Sequence, residues 1–376
     1  MSTRLWPTAR ERIRDFYENT GLGKAEETPD ELKSADAKST AVTREELMKR
    51  MPPDLLREFM EEEARKGQAN NNQQQTGQKM RRGGLTALHF AVRENDPASV
   101  KALVDAGADV NEVSEFGWSP LLAATQNRFY QLGKYLLEQG ADPNIANEGG
   151  WNPLYIATDN RNIEGCDYPT RKLDMDHLEY IKLLLLAAGA DPNLRMASST
   201  ETRTIFTHQW LDENGATPFL RAAQSSDLEL MKLLLEYGAD ATLTTAIGVT
   251  PLMVASGIAW VEGVTFEWPE DANKEAIRLL IELGNDVNAQ DREDRRTALM
   301  GAAHKGRNYA VQMLVDAGAT WQAIDYADGL VRVGVQSAQA KPATSKLLRE
   351  LMMAKGLEVP PEGRTLDSIC VVDICK

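Results

Sequence analysis

Cysteine is scarce in this 376-residue chain: Cys166, Cys370 and Cys375 are too few to staple a fold with disulfides. Histidine is nearly as scarce. His89, His177, His208 and His304 show no metal-ligand spacing, and no His-Glu-x-x-His helix is present. No Gly-x-Ser-x-Gly elbow occurs, and Gly21-Leu22-Gly23-Lys24 lacks the spacing of a phosphate cradle. The pair Cys370 and Cys375 is followed by Lys376 and lacks further ligands, so neither a covalent haem nor a metal is expected in the tail. These absences argue against an enzyme and against any cofactor. No run approaches the roughly 18 apolar residues needed to cross a bilayer, so no membrane role is expected. The start, Met-Ser-Thr-Arg-Leu-Trp-Pro, has no apolar leader core, which makes the cytoplasm the expected compartment. A longer start carrying a leader would instead imply a secreted or periplasmic protein.

Excess positive charge is missing as well. The formal net charge is −14, and residues 81–340 hold all of it, with 22 basic and 36 acidic side chains. An acidic body repels phosphate backbones, so nucleic acid is not expected as a partner. It is compatible with a basic protein surface, although acidity also serves plain solubility.

What the chain has in abundance is repetition. A phrase recurs at Thr86-Ala87-Leu88-His89, Ser119-Pro120-Leu121-Leu122, Asn152-Pro153-Leu154-Tyr155, Thr217-Pro218-Phe219-Leu220, Thr250-Pro251-Leu252-Met253 and Thr297-Ala298-Leu299-Met300. Thr86 to Ser119, Ser119 to Asn152 and Thr217 to Thr250 are each 33 residues. The first residue caps a helix, and proline at the next position loses no hydrogen bond there. A second phrase follows each time, as in Gly107-Ala108-Asp109, Gly140-Ala141-Asp142, Gly189-Ala190-Asp191 and Gly238-Ala239-Asp240. Its glycine suits a left-handed helix end, and Asp and Asn turn the chain back. Between the phrases the spacing predicts second helices over Ser99–Ala106, Tyr130–Gln139, Leu178–Ala188, Leu228–Tyr237, Lys274–Leu283 and Tyr309–Ala317. Each carries apolar residues three and four apart.

The two phrases and their period resemble the ankyrin repeat family over about residues 83–355. The resemblance implies an all-α solenoid of stacked helix-turn-helix units with projecting finger turns. A degenerate seventh unit would begin near Gly329 and end with Thr344–Met353. Departures from the period place insertions near 159–175, 195–211 and 257–270. The first and third lie between the helices of a repeat, and the second lengthens a finger. Loops of this length are often functional. Around the repeat domain, 83–358, the chain reads as an N-terminal extension, 1–67, with short helices near 8–19, 43–51 and 53–66. An Asn/Gln-rich linker, 68–82, follows it, and a C-terminal tail, 359–376, ends the chain.

The resemblance also assigns positions. His89 would tie down backbone at a turn. The residue before each Thr-Pro-Leu phrase would face a ligand, and here that row is Leu85, Trp118, Trp151, Ala216, Val249 and Arg296. Phe116 sits two residues before Trp118. Large aromatics on adjacent fingers are interface anchors. The alternative is that they stiffen the array under the insertions, which Trp210, Trp260 and Trp268 favour. Surface-facing positions at the start of the loop after each first helix are Arg93, Glu94, Gln126, Asn127, Asp159, Asn160, Gln224, Ser225, His304 and Lys305. The finger acids Asp291, Glu293 and Asp294 alternate with Arg292, Arg295 and Arg296 and read as a solvated turn.

The expected function is non-catalytic recognition of another protein on the concave finger and inner-helix face, through Phe116, Trp118, Trp151, Gln126, Asn127, Asp159, Asn160 and Gln224. Two alternatives remain. The insertions, with Tyr168, His177, His208 and Trp210, would form a small-ligand or hydrolytic pocket, or the chain is a structural scaffold or spacer. The sequence leaves the oligomeric state open.

Overall fold

The structure, a computed structural model, describes residues 83–162, 173–198, 211–260, 266–320, 323–331 and 339–364. The chain divides into two compact units, 1–81 and 82–376, and every described residue belongs to the second. The helices expected at 8–19, 43–51 and 53–66, the whole linker 68–82 and the three cysteines lie outside the described residues.

The described residues are helical and contain no strand. Repeat one carries α1 (Ala87–Arg93) and α2 (Pro97–Asp105), and repeat two carries α3 (Pro120–Gln126) and α4 (Tyr130–Glu138). Repeat three carries α5 (Pro153–Arg161) and α6 (His177–Lys182), whose last turn widens into a π-helix over Leu183–Ala187. Repeat four carries α7 (Pro218–Ser225) and α8 (Leu228–Glu236), and repeat five α9 (Pro251–Ser256) and α10 (Glu270–Glu282). Repeat six carries α11 (Ala298–Lys305) and α12 (Asn308–Asp316). The seventh, degenerate unit pairs α13 (Ile324–Ala327) with α14 (Pro342–Ala354). In it α13 packs on α11 and α14 on α12, and Gly329 lies just past α13 instead of opening the unit. This is an all-α solenoid of stacked helix pairs.

The recurring phrase acts as the capping chemistry requires. Thr86, Ser119, Asn152, Thr217, Thr250 and Thr297 each accept, through a side-chain oxygen, the backbone N–H three residues on. Pro120, Pro153, Pro218 and Pro251 occupy the first helical position, where no N–H is needed. Each finger then donates to the finger before it: Glu115 N–H to Gly83 at 3.2 Å, Glu148 to Phe116 at 3.2 Å, Ala197 to Gly149 at 2.8 Å and Arg292 to Ile247 at 2.8 Å.

The Asn of the second phrase is a clamp between repeats. Asn111 donates from Nδ2 to the Gly140 carbonyl at 3.0 Å and accepts the Asp142 N–H at 2.7 Å. Asn144, Asn193 and Asn288 repeat this toward Gly189, Gly238 and Gly318. Repeat four has Thr242 at this position, and there Asn285 reaches back from repeat five to the Ala241 carbonyl at 3.2 Å. Buried apolar side chains form two clusters. One runs from Leu88 to Ala141, and the other extends from Leu122 through repeat six to Leu348.

Of the expected C-terminal tail only residues 359–364 are described, and these are fastened. Arg349 donates to Asp328 at 2.8 Å and to the carbonyls of Pro360 and Pro361 at 3.2 and 2.9 Å. Arg364 pairs with Asp325 and Asp328, both at 2.7 Å. Residues 359–364 therefore belong with the seventh unit, not with a loose tail.

Candidate functional site

Fingers and first helices of repeats one and two are held in register by His89. Its Nε2–H donates to the Trp118 carbonyl at 2.8 Å, which leaves Nδ1 to accept from Thr86. Around that tie the surface is apolar. Leu85, Phe90, Val113 and Phe116 are 41, 48, 44 and 40% exposed, and Trp118 is half-buried. Between α1 and α2 lies a shallow groove of about 470 Å³ lined by Phe90, Ala91, Ala102, Leu103 and Glu94. Gln126 and Asn127 are half-buried at the end of α3, and Asn127 spends its amide on its own helix, at the Ala123 carbonyl.

The other expected contact residues are interior, which corrects the sequence expectation. Trp151 is fully buried. Residues 195–198, the root of the finger insertion, close over it: Ala197 and Ser198 both donate to the Gly149 carbonyl, and Tyr155 packs edge-on against the indole at 5.2 Å. Asp159 is buried because it pairs with Arg221 at 2.7 Å, an arginine that is itself buried. Asn160 donates to the Thr125 carbonyl at 2.8 Å. Gln224 is buried with neither end of its amide bonded. Ser225, His304 and Lys305 are buried too, while Arg93 and Glu94 stay exposed. The surface-facing register thus holds in repeats one and two and fails from repeat three onward.

A belt of buried polar groups explains the failure. Arg221 also donates to the Ser225 hydroxyl at 2.9 Å and to the Asn162 carbonyl at 2.9 Å. Arg161 pairs with Asp227 at 2.7 Å and Glu229 at 3.1 Å. Glu267 receives Lys305 and Arg307. Burial pushes the Lys305 ammonium below its ordinary value, and the Glu267 charge opposes that. Tyr309 donates to Asn273 at 2.7 Å, and Asn273 donates to the Ser226 hydroxyl at 2.6 Å and to the Ala255 carbonyl.

The insertions between helices meet through this belt. Trp268 donates its indole N–H to Asn162 Oδ1 at 2.9 Å, and the Arg161 guanidinium lies 4.8 Å from its ring centroid. Next to them is a cavity of about 370 Å³ lined by Arg161, Asp227, Leu228, Glu229, Lys232 and Trp268. Tyr168, His208 and Trp210 lie outside the described residues. His177 accepts or donates at 2.8 Å with Tyr130, whose ring stacks on Tyr180 at 4.3 Å. Gly133 permits this stack, since a Cβ there would collide with the Tyr180 ring. Burial, then the charges of Arg128 and Arg161, pulls the His177 imidazole down to about 4, so it is neutral at pH 7. The finger acids are likewise not a solvated turn throughout: Asp291 is buried, accepts the Glu293 and Asp294 N–H groups, and pairs with Arg296 at 2.5 Å.

Sequence reasoning missed Phe90 and Arg221. Both stand four residues after the capping residue, in a row that reads Phe90, Ala123, Ile156, Arg221, Val254, Gly301. One arginine in that otherwise uncharged register was the available signal for a buried pair.

Two family models match the chain, one for three copies of ankyrin repeats over residues 88–196 and one for a single ankyrin repeat over 214–246. Over 53 residues, 14% of this chain, it is 42% identical to protein phosphatase 1 regulatory subunit 27 of human and of mouse, and spans 34% of the length of these curated relatives. Among solved structures it is similar to an ankyrin repeat domain from Acinetobacter baumannii, with 21% identity, a TM-score of 0.46 and coverage of 62% of this chain and 98% of that one. It is also similar to the human ASB11 ankyrin repeat domain, with 22% identity, a TM-score of 0.45 and coverage of 74% and 100%. With the capped helix pairs and the two family matches falling in one register, residues 88–196 and 214–246 are ankyrin repeats.

Proposed function

We propose that the chain is a non-catalytic protein-binding module whose partner docks on the finger and inner-helix face of repeats one and two. The anchors are Leu85, Phe90, Phe116 and Trp118, with Gln126 and Asn127 beside them. The observation that carries this reading is where the apolar surface falls. Of the eight large apolar side chains exposed among the described residues, Leu85, Phe90, Val113 and Phe116 lie within one stretch of the first two repeats. Exposed aromatic and aliphatic groups gathered on one face mark an interaction site. Trp151, Asp159, Asn160 and Gln224 support the scaffold and do not touch the partner. Exposed Glu94, Glu112 and Glu148 around the anchors suit a partner with basic flanks. Repeat membership and a relative named as a regulatory subunit support the same class.

The test is affinity capture from the source cell with the full chain, comparing wild type with Phe90→Ala/Phe116→Ala/Trp118→Ala. Loss of captured protein with unchanged helical circular dichroism is the expected result. Undiminished capture by the triple variant sinks the site. A second reading has one observation in its favour, the cavity of about 370 Å³ where the roots of two insertions meet at Arg161 and Trp268. A small molecule bound there would be lost on Lys232→Ala and unaffected by the triple variant.

A further inference from the structure

In a stacked-repeat protein each unit touches only its neighbours, so stability is a sum of repeat terms and nearest-neighbour terms. Trp268 breaks that rule, and the residue before it, Glu267, grips the repeat on the other side. Trp268 and Glu267 both belong to the segment leading into α10 of repeat five. Trp268 reaches backward past repeat four. Its backbone N–H donates to the Ser225 carbonyl of repeat four at 2.9 Å, and its indole N–H donates to Asn162 of repeat three at 2.9 Å. Arg161 of repeat three stacks on the same ring. Glu267 reaches forward, receiving Lys305 and Arg307 of repeat six.

The groups joined are shielded from water. The side chains of Arg161, Glu267 and Lys305 are 9, 9 and 1% exposed. Ion pairs removed from solvent are weakly screened, and stripping one partner leaves the other charge buried. Asn162 is tied in turn to Arg221 and Asp227, which fastens the backward arm to the middle of α7 and the start of α8. Nothing comparable links repeats one and two to a repeat beyond their neighbours among the described contacts.

We infer that residues 266–268 form a cross-repeat staple that makes repeats three to six open and close as one cooperative unit, while repeat one and the outer part of repeat two open separately. A staple transmits: disturbing its grip on repeat six loosens repeat three, with which Glu267 has no contact. Nearest-neighbour stacking without a staple confines the disturbance to repeats five and six.

Hydrogen exchange of the full chain, read by peptide, separates the two. In the wild type the slowest amides of α5, α7 and α11 should share one opening free energy, and those of α1 and α2 should exchange faster. Glu267→Gln should speed exchange in α11 and, by about tenfold, also in α5. Trp268→Phe keeps a ring for Arg161 and removes the N–H, and should speed exchange in α5 and α11 together by a smaller factor. Faster exchange restricted to repeats five and six in Glu267→Gln, with α5 at the wild-type rate, overturns the staple. Should Glu267→Gln fail to fold, Trp268→Phe carries the same test, with a rate change confined to α5 and α7 as the contrary result.

Discussion

Repeats one and two and the four that follow are built from the same phrase and present opposite surfaces. The register four residues after the cap holds an exposed Phe90 in repeat one and a buried Arg221 in repeat four. Three residues further on, Arg93 is exposed in the first repeat, while Asp159, Gln224 and His304 are buried in the third, fourth and sixth. Backbone geometry is shared, so the difference comes from what covers the helices. The insertion root at 266–268 lies against the later repeats, and its polar contacts together with the buried Arg221–Asp159 pair turn a surface register into an interior one. The early repeats keep theirs open, and apolar side chains collect there.

The sharpest break of this comparison is to treat the same register alike in both regions. Arg221→Ala removes one side of the buried Arg221–Asp159 ion pair and should cost about 3–5 kcal/mol in denaturant unfolding. Phe90→Ala should change stability by no more than about 0.5 kcal/mol, as for an exposed site. Equal losses would erase the distinction between the two regions.

Smaller effects sharpen it. The Asn clamps serve both regions, so Asn111→Ala and Asn144→Ala should each cost about 1–2 kcal/mol by the same measurement, since each loses one donor and one acceptor bond. The far end of the stack should respond to acid. Burial alone would raise the Asp328 carboxyl, but hydrogen bonds from Arg349, Ser345 and Arg364 outweigh it and hold it at about 2. The unfolded chain therefore takes up this proton first as pH falls. The stabilisation is complete above the ordinary value of 3.8 and is lost between there and about 2. Thermal melts across that window should show the acid-induced loss reduced in Asp328→Asn. The smallest effect belongs to Gln224. Its amide is buried and unbonded, so Gln224→Met should leave stability unchanged or raise it slightly.

The architecture was legible because its determinants are local. A capping oxygen meets an N–H three residues on, and a glycine ends each helix, wherever the chain goes next. The predicted second helices accordingly match α2, α4, α8, α10 and α12 to within a few residues, with α6 departing only in its π turn. The site was less legible because exposure is not local. Trp151 occupies the same finger position as Trp118, yet it is an interior ring packed edge-on against Tyr155 while Trp118 is half-buried, and the finger position alone does not tell them apart. Asp159 looks like any solvent-facing acid until Arg221, in the next repeat, is placed against it. Insertion lengths were readable from the spacing, whereas the joining of two of them at Trp268 and Asn162 depends on partners 106 residues apart.

The central claim is that recognition resides in the first two repeats and scaffolding in the rest. A photo-crosslinking side chain placed in the full chain at position 90, at 116, or at the 72%-exposed Leu186 of repeat three tests it most directly in the source cell. Covalent adducts of one protein at 90 and 116, with none at 186, are the predicted result. Adducts at 186 with none at 90 or 116 would contradict it.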